Sequence, residues 1–519
     1  MSVATTRPLV EIDWSRCVLP PFEHQKVGIR ELLKWNDPAK GRVLPGVFAL
    51  FDEPGAGKTK QIVDTACFLA DAGEIDTVLI VTPASVRAVW ASDFGEIQKH
   101  AWFPRTVVEF HAKTPRLPFA KGRLNWVVTN FDFIRSGDRL LELIDQLRGR
   151  RIWGVVDESI RIKSHKAAQT KAVLKLAPLC VRRSILNGTP VGNNPLDLWA
   201  QFQFLDPRII GAKNFFHFRA AYAVMGGYMN KQVIGWQRLE ELQAKIAPYV
   251  LRRLKEDCLD LPEKTYTIRE ARMTPATWKV YKAMRDECVA YLGEGPGQRV
   301  SVAPQAVVRL LRLSQITAGF LGGIEPVQDD RGDLFTVPLG DPSVPKEIGR
   351  EKLDVLLEQI EDRLETDEPN VRIVVWCRYR AELERAVKAV AERWPHVSIG
   401  RIQGGQKEGE RRAMIAEFQA NGDYPMVMFA NPQAGGLGLT LTAAHHVIYS
   451  SNDYSLTTRL QSEDRVHRPG QRHTVLYTDV IATGPEGQRT IDHVILNALR
   501  KKQDLARWTT DVWRRELAA

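Results

Sequence analysis

Short apolar runs alternate with helix-length amphipathic segments in two separate parts of the chain. The first series lies at residues 46–51, 77–82, 126–130, 151–156 and 183–188, and the second at 371–376, 397–402, 424–429, 445–450 and 475–481. Buried runs rich in β-branched residues and separated by helices are typical of parallel sheets that are covered on both faces. We therefore predict an α/β protein with two doubly wound parallel-sheet lobes.

The remaining segments complete the predicted domain organisation. Residues 270–320 read as mainly helical, and 322–349, rich in Gly, Pro and Asp, is predicted to be a surface loop or hairpin. The predicted order is an N-terminal extension at 1–18, a first lobe at 19–255 with a helical protrusion at about 194–250, a helical protrusion and linker at 256–350, a second lobe at 351–505 and a C-terminal helix at 506–519.

Composition and charge narrow the class of protein. With 519 residues, 44% of them hydrophobic, the chain is expected to form several folded domains. No apolar run reaches the ~18 residues of a membrane span, and no signal-peptide layout is visible, so no membrane partner is expected. The six cysteines form no C-x-x-C pair, which argues against a zinc module and favours free thiols in a reducing compartment. The net charge of +10 fits a polyanionic partner but is a weak signal in so long a chain.

A glycine-rich stretch joins the first predicted strand to a predicted helix. Residues 51–60 read FDEPGAGKTK. A strand, a glycine turn and a helix in this order point backbone N–H groups at an anion such as phosphate. Gly55 and Gly57 permit close approach of the backbone. Lys58 is predicted to reach the β- and γ-phosphates, and Thr59 to ligate magnesium. The strict motif has Gly where this chain has Asp52, so the loop is a variant.

Two carboxylates follow a later apolar strand. Asp157 and Glu158 come directly after the run at 151–156, which places them at the carboxyl edge of a parallel sheet, where such sheets bind ligands. A phosphate-binding loop needs a second magnesium partner and a group that orients the attacking water. We predict these roles for Asp157 and Glu158, respectively. Upstream, Gln25 begins an amphipathic segment, and its side-chain amide has the two-point match for adenine N6 and N7.

At this point several stretches resemble one family, the SWI/SNF-like ATPases of the superfamily 2 helicases. The similar stretches are FEHQKVGIRELL, DEPGAGKT, LIVTPASVRAVWASDF, DESIRIKS, ILNGTPVGNNPLDLWAQFQFLDP and YVLRRLKEDCLDLPEKTYTI. The resemblance implies two RecA-like lobes and a true phosphate-binding loop, since Asp is common in this family at the position of Asp52. It implies that ATP is held by Gln25 and by the loop residues Asp52, Glu53, Pro54, Gly55, Ala56, Gly57, Lys58 and Thr59. It also implies DNA contacts at Pro83, Ser85 and Arg87.

The second lobe carries the family's other motifs. In QSEDRVHRPGQ (461–471), the resemblance implies that Arg465 and Arg468 are arginine fingers supported by Gln461 and Asp464; their spacing puts them on one face if the segment is helical. The stretch at 430–455 resembles the motif that links nucleotide to DNA. Its predicted nucleotide contacts are Gly436 and Gly438, and its predicted phosphate contacts on DNA are Thr440 and Thr442, joined by Arg411 from an earlier motif.

The resemblance has departures that bear on function. Ser159 and Ile160 stand where Ala-His is usual after the two carboxylates, Ala430 and Asn431 where Ser-Thr is common, and Tyr454 where Trp is usual. The resemblance implies that the replaced His couples the lobes. The changes therefore concern coupling and DNA affinity rather than ATP binding.

The leading functional expectation is an ATP- and Mg²⁺-dependent motor that moves along double-stranded DNA as its two lobes open and close. One alternative is a helicase or annealing enzyme acting on forked or branched DNA. Another, of a different class, is a weakly hydrolysing, nucleotide-gated DNA-binding scaffold, motivated by Ser159 and Ile160. The expected protein is a compact monomer without accessory domains, in a bacterial cytoplasm or, for a viral protein, in that of its host, with the nucleus as an alternative.

Overall fold

The computed structural model describes residues 10–112, 114, 116–188, 195–227, 232–293, 302–322, 324–328, 334–338, 345–366, 370–406, 408–420, 422–432, 439–501 and 503. The chain folds as two units, and the first ends at Leu259 where the second begins at Asp260. Gly436, Gly438 and the C-terminal helix predicted at 506–519 lie outside the described residues, as does half of the predicted N-terminal extension.

The first unit is built on a seven-stranded parallel sheet. The described strands of the unit are β1 (Val47–Leu50), β2 (Thr77–Thr82), β3 (Arg105–Glu109), β4 (Leu124–Asn130), β5 (Ile152–Val156), β6 (Cys180–Leu186), β7 (Ala223–Gly226), β8 (Gln232–Trp236) and β9 (Val250–Leu251). The unit also contains a separate hairpin formed by β7 and β8. The sheet order is β3–β4–β2–β5–β6–β1–β9, and every neighbouring pair is parallel. Because all strands point the same way, the segments that follow β1, β2 and β5 lie along one edge of the sheet.

Helices connect these strands. Those described are α1 (Glu23–Leu33), α2 (Lys58–Asp71), α3 (Arg87–Ala91), α4 (Glu96–His100), α5 (Phe131–Ile134), α6 (Gly137–Leu147), α7 (Ala168–Leu176), α8 (Leu198–Leu205), α9 (Pro207–Ile210), α10 (Phe215–Tyr222), α11 (Leu239–Ile246) and α12 (Lys255–Cys258). The apolar side chains of Ile62, Ala66 and Leu69 in α2 are fully buried. The helix therefore lies in the core and fixes the loop before it.

The second unit contains a six-stranded parallel sheet. The described strands of the unit are β10 (Lys264–Arg272), β11 (Phe320–Leu321), β12 (Ile324–Gln328), β13 (Leu334–Pro338), β14 (Lys346–Glu347), β15 (Arg372–Trp376), β16 (Ser398–Ile402), β17 (Met426–Ala430), β18 (His446–Tyr449) and β19 (Val475–Thr483). The unit also contains two small sheets, in which β11 pairs with β14 and β12 with β13. The sheet order is β10–β19–β18–β15–β17–β16, all parallel. Along β15, Ile373 and Val375 enter one apolar cluster, and Val374 and Trp376 enter another. The sheet is thus covered on both faces, as predicted.

The helices of the second unit surround this sheet. Those described are α13 (Pro275–Gly293), α14 (Val302–Thr317), α15 (Glu351–Leu364), α16 (Arg380–Arg393), α17 (Glu408–Gln419) and α18 (Leu456–Glu463). In the described part of the chain, no helix combines the length and apolar character that a membrane span requires.

Among the described strands that were not predicted, β3, β7, β8, β9 and β10 have a clear physical reason. The hairpin β7–β8 interrupts the segment at 194–250 that was predicted to be helical, and its strands are short and partly exposed. β3 is a half-buried edge strand, β9 has only two residues, and β10 is an edge strand with mostly exposed side chains. None of them has the continuous apolar run that a central strand shows. Within 322–349, which was predicted to be a surface loop or hairpin, β12 and β13 form an antiparallel hairpin.

Candidate active site

The glycine-rich loop leaves β1 and turns directly into α2. Gly55 and Gly57 have φ angles of +89° and +77°, a left-handed conformation that favours glycine. A methyl group added at Gly57 would overlap the side-chain amide of Gln25, so the site also requires glycine for space. The loop therefore leads directly into the N-terminus of a 14-residue helix, whose first backbone N–H groups have the geometry that binds phosphate.

Lys58 and Thr59 are the first two residues of α2, and both are half-buried. Nζ of Lys58 folds back across the loop and donates to the backbone carbonyl of Asp52 at 2.6 Å. The ammonium group thus lies over the turn formed by the two glycines. The structure brings Lys58 and Thr59 to one place, as the sequence predicted, and their roles toward a nucleotide stay predictions.

The Asp52 side chain has a partner that the sequence did not indicate. It is fully buried, one carboxylate oxygen accepts from Nε of Arg253 at 2.9 Å, and the other bonds to the same guanidinium group and to Nε2 of Gln61. Arg253 also donates to the carbonyl of His24. Asp52 therefore fastens the loop to the segment that follows β9. This is a physical reason for an aspartate where the strict motif has glycine.

The next two loop residues are also held by protein groups. The carboxylate of Glu53 accepts from the backbone N–H of Lys255 at 2.9 Å. Pro54 packs against Gly188, where an added methyl group would overlap the proline ring. Ala56 is buried, and its carbonyl accepts from Nε2 of His24 at 3.0 Å. The loop is therefore preorganised by its neighbours.

Gln25 lies against this loop in α1. Its side chain is buried, Oε1 accepts from the backbone N–H of Phe22 at 3.0 Å, and Nε2 donates to the carbonyl of Ala56 at 3.5 Å. The structure thus places Gln25 beside the phosphate loop, as its position before the loop in the chain suggested. Recognition of adenine by this amide stays a prediction.

Asp157 follows β5 at the same edge of the sheet. One oxygen accepts from Nε1 of Trp90 at 2.8 Å and from the hydroxyl of Thr82 at 3.2 Å, and the other accepts from the backbone N–H of Glu158 at 3.0 Å. Burial raises the pKa of Asp157 above its usual range, against the opposing effects of Trp90 and the nearby Lys58 ammonium. An anionic carboxylate here is stabilised only by cationic or hydrogen-bonding partners, which suits a metal ligand.

Glu158 has a left-handed backbone conformation, with φ of +51° and ψ of +53°. Such a conformation costs a non-glycine residue roughly 1–3 kcal/mol and persists only where the surroundings impose it. Beside it, the buried hydroxyl of Ser159 donates to Oε1 of Gln201 at 2.7 Å, and Nε2 of Gln201 donates to the carbonyl of Asp197. The turn with the two carboxylates is therefore fastened to α8, through one of the residues that depart from the family pattern.

The predicted DNA contacts of the first lobe follow β2. Pro83 is buried and precedes a short 3-10 turn that includes the backbone of Ser85. Arg87 begins α3, where its guanidinium group is 3.3 Å from the carboxylate of Glu109. The three residues are thus neighbours at the same sheet edge as Asp157.

The predicted arginine fingers lie outside a helix, so the condition under which their spacing would place them on one helical face is not met. α18 ends at Glu463, and Arg465 and Arg468 lie in the turns that follow. Pro469 disfavours a helical conformation at the residue before it, and Gly470 has a φ angle of +104°. Pro469 and Gly470 are therefore the local sequence signals against a helix through Arg468.

Each arginine is held by its own lobe. Nε of Arg465 donates to the carbonyl of Gln461 at 3.1 Å, and the carbonyl of Arg465 accepts from the N–H of Leu441 at 2.8 Å. The guanidinium group of Arg468 donates to the carbonyl of Leu439 at 2.9 Å and to the hydroxyl of Thr440 at 3.1 Å. The structure thus brings the arginine segment and the predicted DNA-contact segment at 439–442 together.

The other predicted contacts of the second lobe are close by in part. The hydroxyl of Thr442 accepts from Nε2 of Gln419 at 3.0 Å. Gln419 is the last residue of α17, the helix that also contains Arg411. Thr440 and Thr442 are both half-buried, so each hydroxyl has a protein partner and some exposure.

A buried ionic network fixes the end of α18. Arg459 bonds to Glu463 at 2.8 Å and to Asp479 of β19, and its guanidinium group lies 3.5 Å from the ring centroid of Tyr449. Glu463 also accepts from Lys264 at 3.2 Å and from Tyr266 at 2.8 Å, both in β10. Burial alone would raise the pKa of Glu463, but Lys264 and Arg459 outweigh it and hold the pKa at about 2.

Sequence reasoning missed the residues that support the site. Arg253, Trp90, Gln201 and Glu463 lie inside stretches that carry the family resemblance, yet no local pattern indicates their partners. Arg253 and Asp52 are 201 positions apart, and Trp90 and Asp157 are 67 apart. The sequence shows that polar and indole groups are present in those stretches, but it does not show which residues they contact.

Comparisons with known proteins give the family. The SNF2-related domain model matches residues 29–318, and the helicase conserved C-terminal domain model matches residues 351–470. The TATA-binding protein-associated factor mot1 of Aspergillus fumigatus is 28% identical over 505 residues, which cover 88% of this chain and 25% of that protein. The transcription regulatory protein SNF2 of Saccharomyces cerevisiae is 25% identical over 494 residues, covering 91% of this chain and 27% of that protein.

A solved structure of the Sulfolobus solfataricus SWI2/SNF2 ATPase core in complex with dsDNA covers 98% of this chain and 97% of its own, with 23% identity and a TM-score of 0.41. The chain spans about a quarter to about half of the length of the curated relatives it matches. The SNF2-related match covers more than half of the chain, and the helicase C-terminal match lies in the second lobe. The predicted fold class and family are therefore confirmed: the chain belongs to the SNF2-related, SWI/SNF-like family of helicase-like ATPases, with two RecA-like lobes.

Proposed function

We propose that this protein is a DNA-dependent ATPase that moves along double-stranded DNA through ATP-driven opening and closing of its two lobes. The observation that carries the proposal is the preorganised edge of the first sheet. There the glycine turn, Lys58 and the half-buried Asp157 lie close together, each held by protein partners. A site built in this way supports phosphoryl transfer, in which catalysis depends on positioning and electrostatic stabilisation.

ATP and Mg²⁺ fit the residues that are present. The left-handed turn at Gly55 and Gly57 leads into the N-terminus of α2, a favourable place for phosphate. The half-buried Asp157 carboxylate, whose pKa is raised by burial, would be stabilised in its charged form by a bound cation. Thr59 and Asp157 are the residues that would hold magnesium, which supplies neutralisation of the phosphate charge. Lys58 would bind the β- and γ-phosphates, and the adjacent Gln25 would contact the adenine.

Glu158 and the two arginines complete the proposed chemistry. Glu158 would orient the attacking water and accept its proton, since it directly follows Asp157 in the turn after β5. Arg465 and Arg468, with Gln461, would stabilise the charge of the transition state. Because these groups belong to different lobes, hydrolysis would depend on lobe closure, and closure would alternate the grip on DNA.

Double-stranded DNA is the proposed polymer. One relative, matched over 92% of this chain, is named as a probable ATP-dependent DNA helicase, CHR12 of Arabidopsis thaliana. Contacts to the sugar-phosphate backbone from Arg87, Thr440, Thr442 and Arg411 would position the duplex without reading its sequence. The net charge of +10 favours such binding and predicts that it weakens as salt is raised.

Steady-state ATP hydrolysis tests this proposal. We expect little hydrolysis without DNA and stimulation of about tenfold or more by duplex DNA, since backbone contacts would favour the closed state. The measurement compares no DNA, single-stranded, duplex and forked DNA. A stronger response to forks or single strands would favour the helicase or annealing enzyme instead. No response to any DNA would contradict the proposal and leave the nucleotide-gated scaffold.

A further inference from the structure

The stretch that joins the two units is hydrogen-bonded to functional segments at both of its ends. It runs from β9 through α12 to the first residues of β10, and we call residues 250–266 the connecting segment. The contacts described next lie within the first unit at one end and within the second unit at the other.

At its first end, the connecting segment is bonded to consecutive residues of the phosphate loop. The Arg253 guanidinium group bonds to both oxygens of the fully buried Asp52 carboxylate, and the Arg253 carbonyl accepts from the N–H of Glu53 at 3.0 Å. The N–H of Lys255 donates to the Glu53 carboxylate, and Arg252 donates to the carbonyl of Phe51 at 3.0 Å. A change in the loop's conformation therefore has to move these residues or break buried polar contacts, which is costly.

At its other end, the connecting segment is bonded to residues on both sides of Arg465. Nε2 of His467 donates to the carbonyl of Pro262 at 2.7 Å. The Glu463 carboxylate accepts from Nζ of Lys264 at 3.2 Å and from the hydroxyl of Tyr266 at 2.8 Å. The carbonyl of Glu263 also accepts from the N–H of Val475. The turn that contains Arg465 is thus attached to the same stretch as the phosphate loop.

The stretch of the connecting segment between its two bonded ends is short. α12 occupies Lys255–Cys258, where the N–H of Leu259 donates to the carbonyl of Lys255 at 2.8 Å, and only residues 259–261 separate the helical turn from Pro262. A helical turn has a fixed length, and three residues extend by no more than about 3.5 Å each. The two bonded ends are therefore never more than a few residues apart along the chain, so a movement of one end acts on the other through a short stretch.

We propose that the connecting segment is a mechanical link that transmits the nucleotide state of the phosphate loop to the turn that contains Arg465. Arg253 is the positioning residue at the loop end, and Glu463 is the positioning residue at the arginine end. This inference rests on the proposed function, in which Lys58 holds phosphate and Arg465 completes the site. In this inference, the Asp52 carboxylate attaches the phosphate loop to Arg253 of the connecting segment, a contact that a glycine could not make.

The test inserts Gly-Ser-Gly-Ser between Asp260 and Leu261 in the full chain, which adds flexible slack between the two attached ends. We expect duplex-stimulated ATP hydrolysis to fall by about 100-fold, the effect of misplacing a catalytic group. The affinity for a fluorescent ADP analogue is expected to be unchanged, because the loop and its contacts remain. A matched control carries the same insertion between Glu486 and Gly487, in an exposed turn of the second lobe outside the connecting segment, and is expected to hydrolyse ATP like the wild type.

Hydrogen exchange supplies a readout other than activity. In the wild type, a non-hydrolysable ATP analogue is expected to change the exchange of backbone amides both in the phosphate loop and at 439–468. In the Asp260 insertion variant, the change is expected only in the first lobe. A point variant, Arg253→Gln, is expected to weaken the distant response in the same way, whereas Arg208→Gln, which alters a mostly exposed arginine paired with Asp206, is expected to preserve it.

The outcomes separate this inference from the proposed function. If Lys58→Ala hydrolyses ATP like the wild type, the proposed function fails. If Lys58→Ala is inactive while the insertion variant retains full hydrolysis and the distant exchange response, the mechanical link alone is overturned. If both the insertion variant and Arg253→Gln bind ADP normally but lose the distant response, the link is supported.

Discussion

Glu158→Gln is expected to reduce duplex-stimulated ATP hydrolysis by about 10²–10⁴-fold, the contribution typical of a positioned general base. The glutamine has the same shape and leaves the strained backbone and the Asp157 contact in place, but its amide cannot accept a proton. Nucleotide affinity is expected to stay at the wild-type value, because Lys58 and the glycine turn are unaltered. Hydrolysis by phosphate release and binding by a fluorescent ADP analogue measure the two effects separately.

The control for this change is Glu142→Gln, which removes an equivalent carboxylate from a surface pair with Arg139 in α6. Surface pairs of this kind contribute about 0–1 kcal/mol to stability, and no effect on hydrolysis is expected. Equal loss in both variants would show that the assay reports stability. Full activity of Glu158→Gln would remove Glu158 from the reaction and revive the scaffold alternative.

Arg459→Met is expected to lower the free energy of unfolding of the second lobe by about 3–5 kcal/mol, because it leaves the buried carboxylates of Glu463 and Asp479 without their shared cation. Methionine retains much of the contact with Tyr449, so the loss comes from charge. Hydrogen exchange of amides in β18 and β19 during denaturant titration measures this lobe separately from the first.

The dependence on pH and a surface variant check this interpretation. The pKa of Glu463 is held at about 2, below its ordinary 4.5, so its ionised form contributes stability above pH 4.5 that is lost as pH falls toward 2. The deficit of Arg459→Met is therefore expected to narrow between pH 7 and pH 3. Arg380→Met, at a mostly exposed arginine paired with Glu384, is expected to cost at most about 1 kcal/mol. A comparable cost in the two variants at pH 7 would contradict the role of burial.

The predicted strands show which physical signals are local. All five runs of the second series form strands β15 to β19. The central strands β15 and β17 are buried on both faces and read as continuous apolar runs, and the edge strand β16 is half-buried. β10 escaped prediction because it lies at the edge of the sheet and most of its side chains are exposed. Its place is set by parallel pairing with β19, over two hundred residues later in the chain.

The site residues that local sequence indicates were predicted, and those that depend on distant parts of the chain were not. Gly55, Gly57, Lys58 and Asp157 were predicted because a loop between a strand and a helix, and a strand end, are visible within a few residues. The partners that hold them were not predicted, because Arg253 reaches Asp52 only through the parallel pairing of β9 with β1. The arginine segment was predicted by residue type but not by conformation, since the helix ends at Glu463.

The most direct test of directional movement on duplex DNA is displacement of a triplex-forming strand from an intact duplex. With ATP, the wild-type protein is expected to release the third strand while the duplex strands stay paired, and Glu158→Gln is expected to release none. Release only from forked substrates, or separation of the duplex itself, would contradict translocation without unwinding. Absence of release, despite strong stimulation of hydrolysis by duplex DNA, would show that ATP turnover is not converted into movement along DNA.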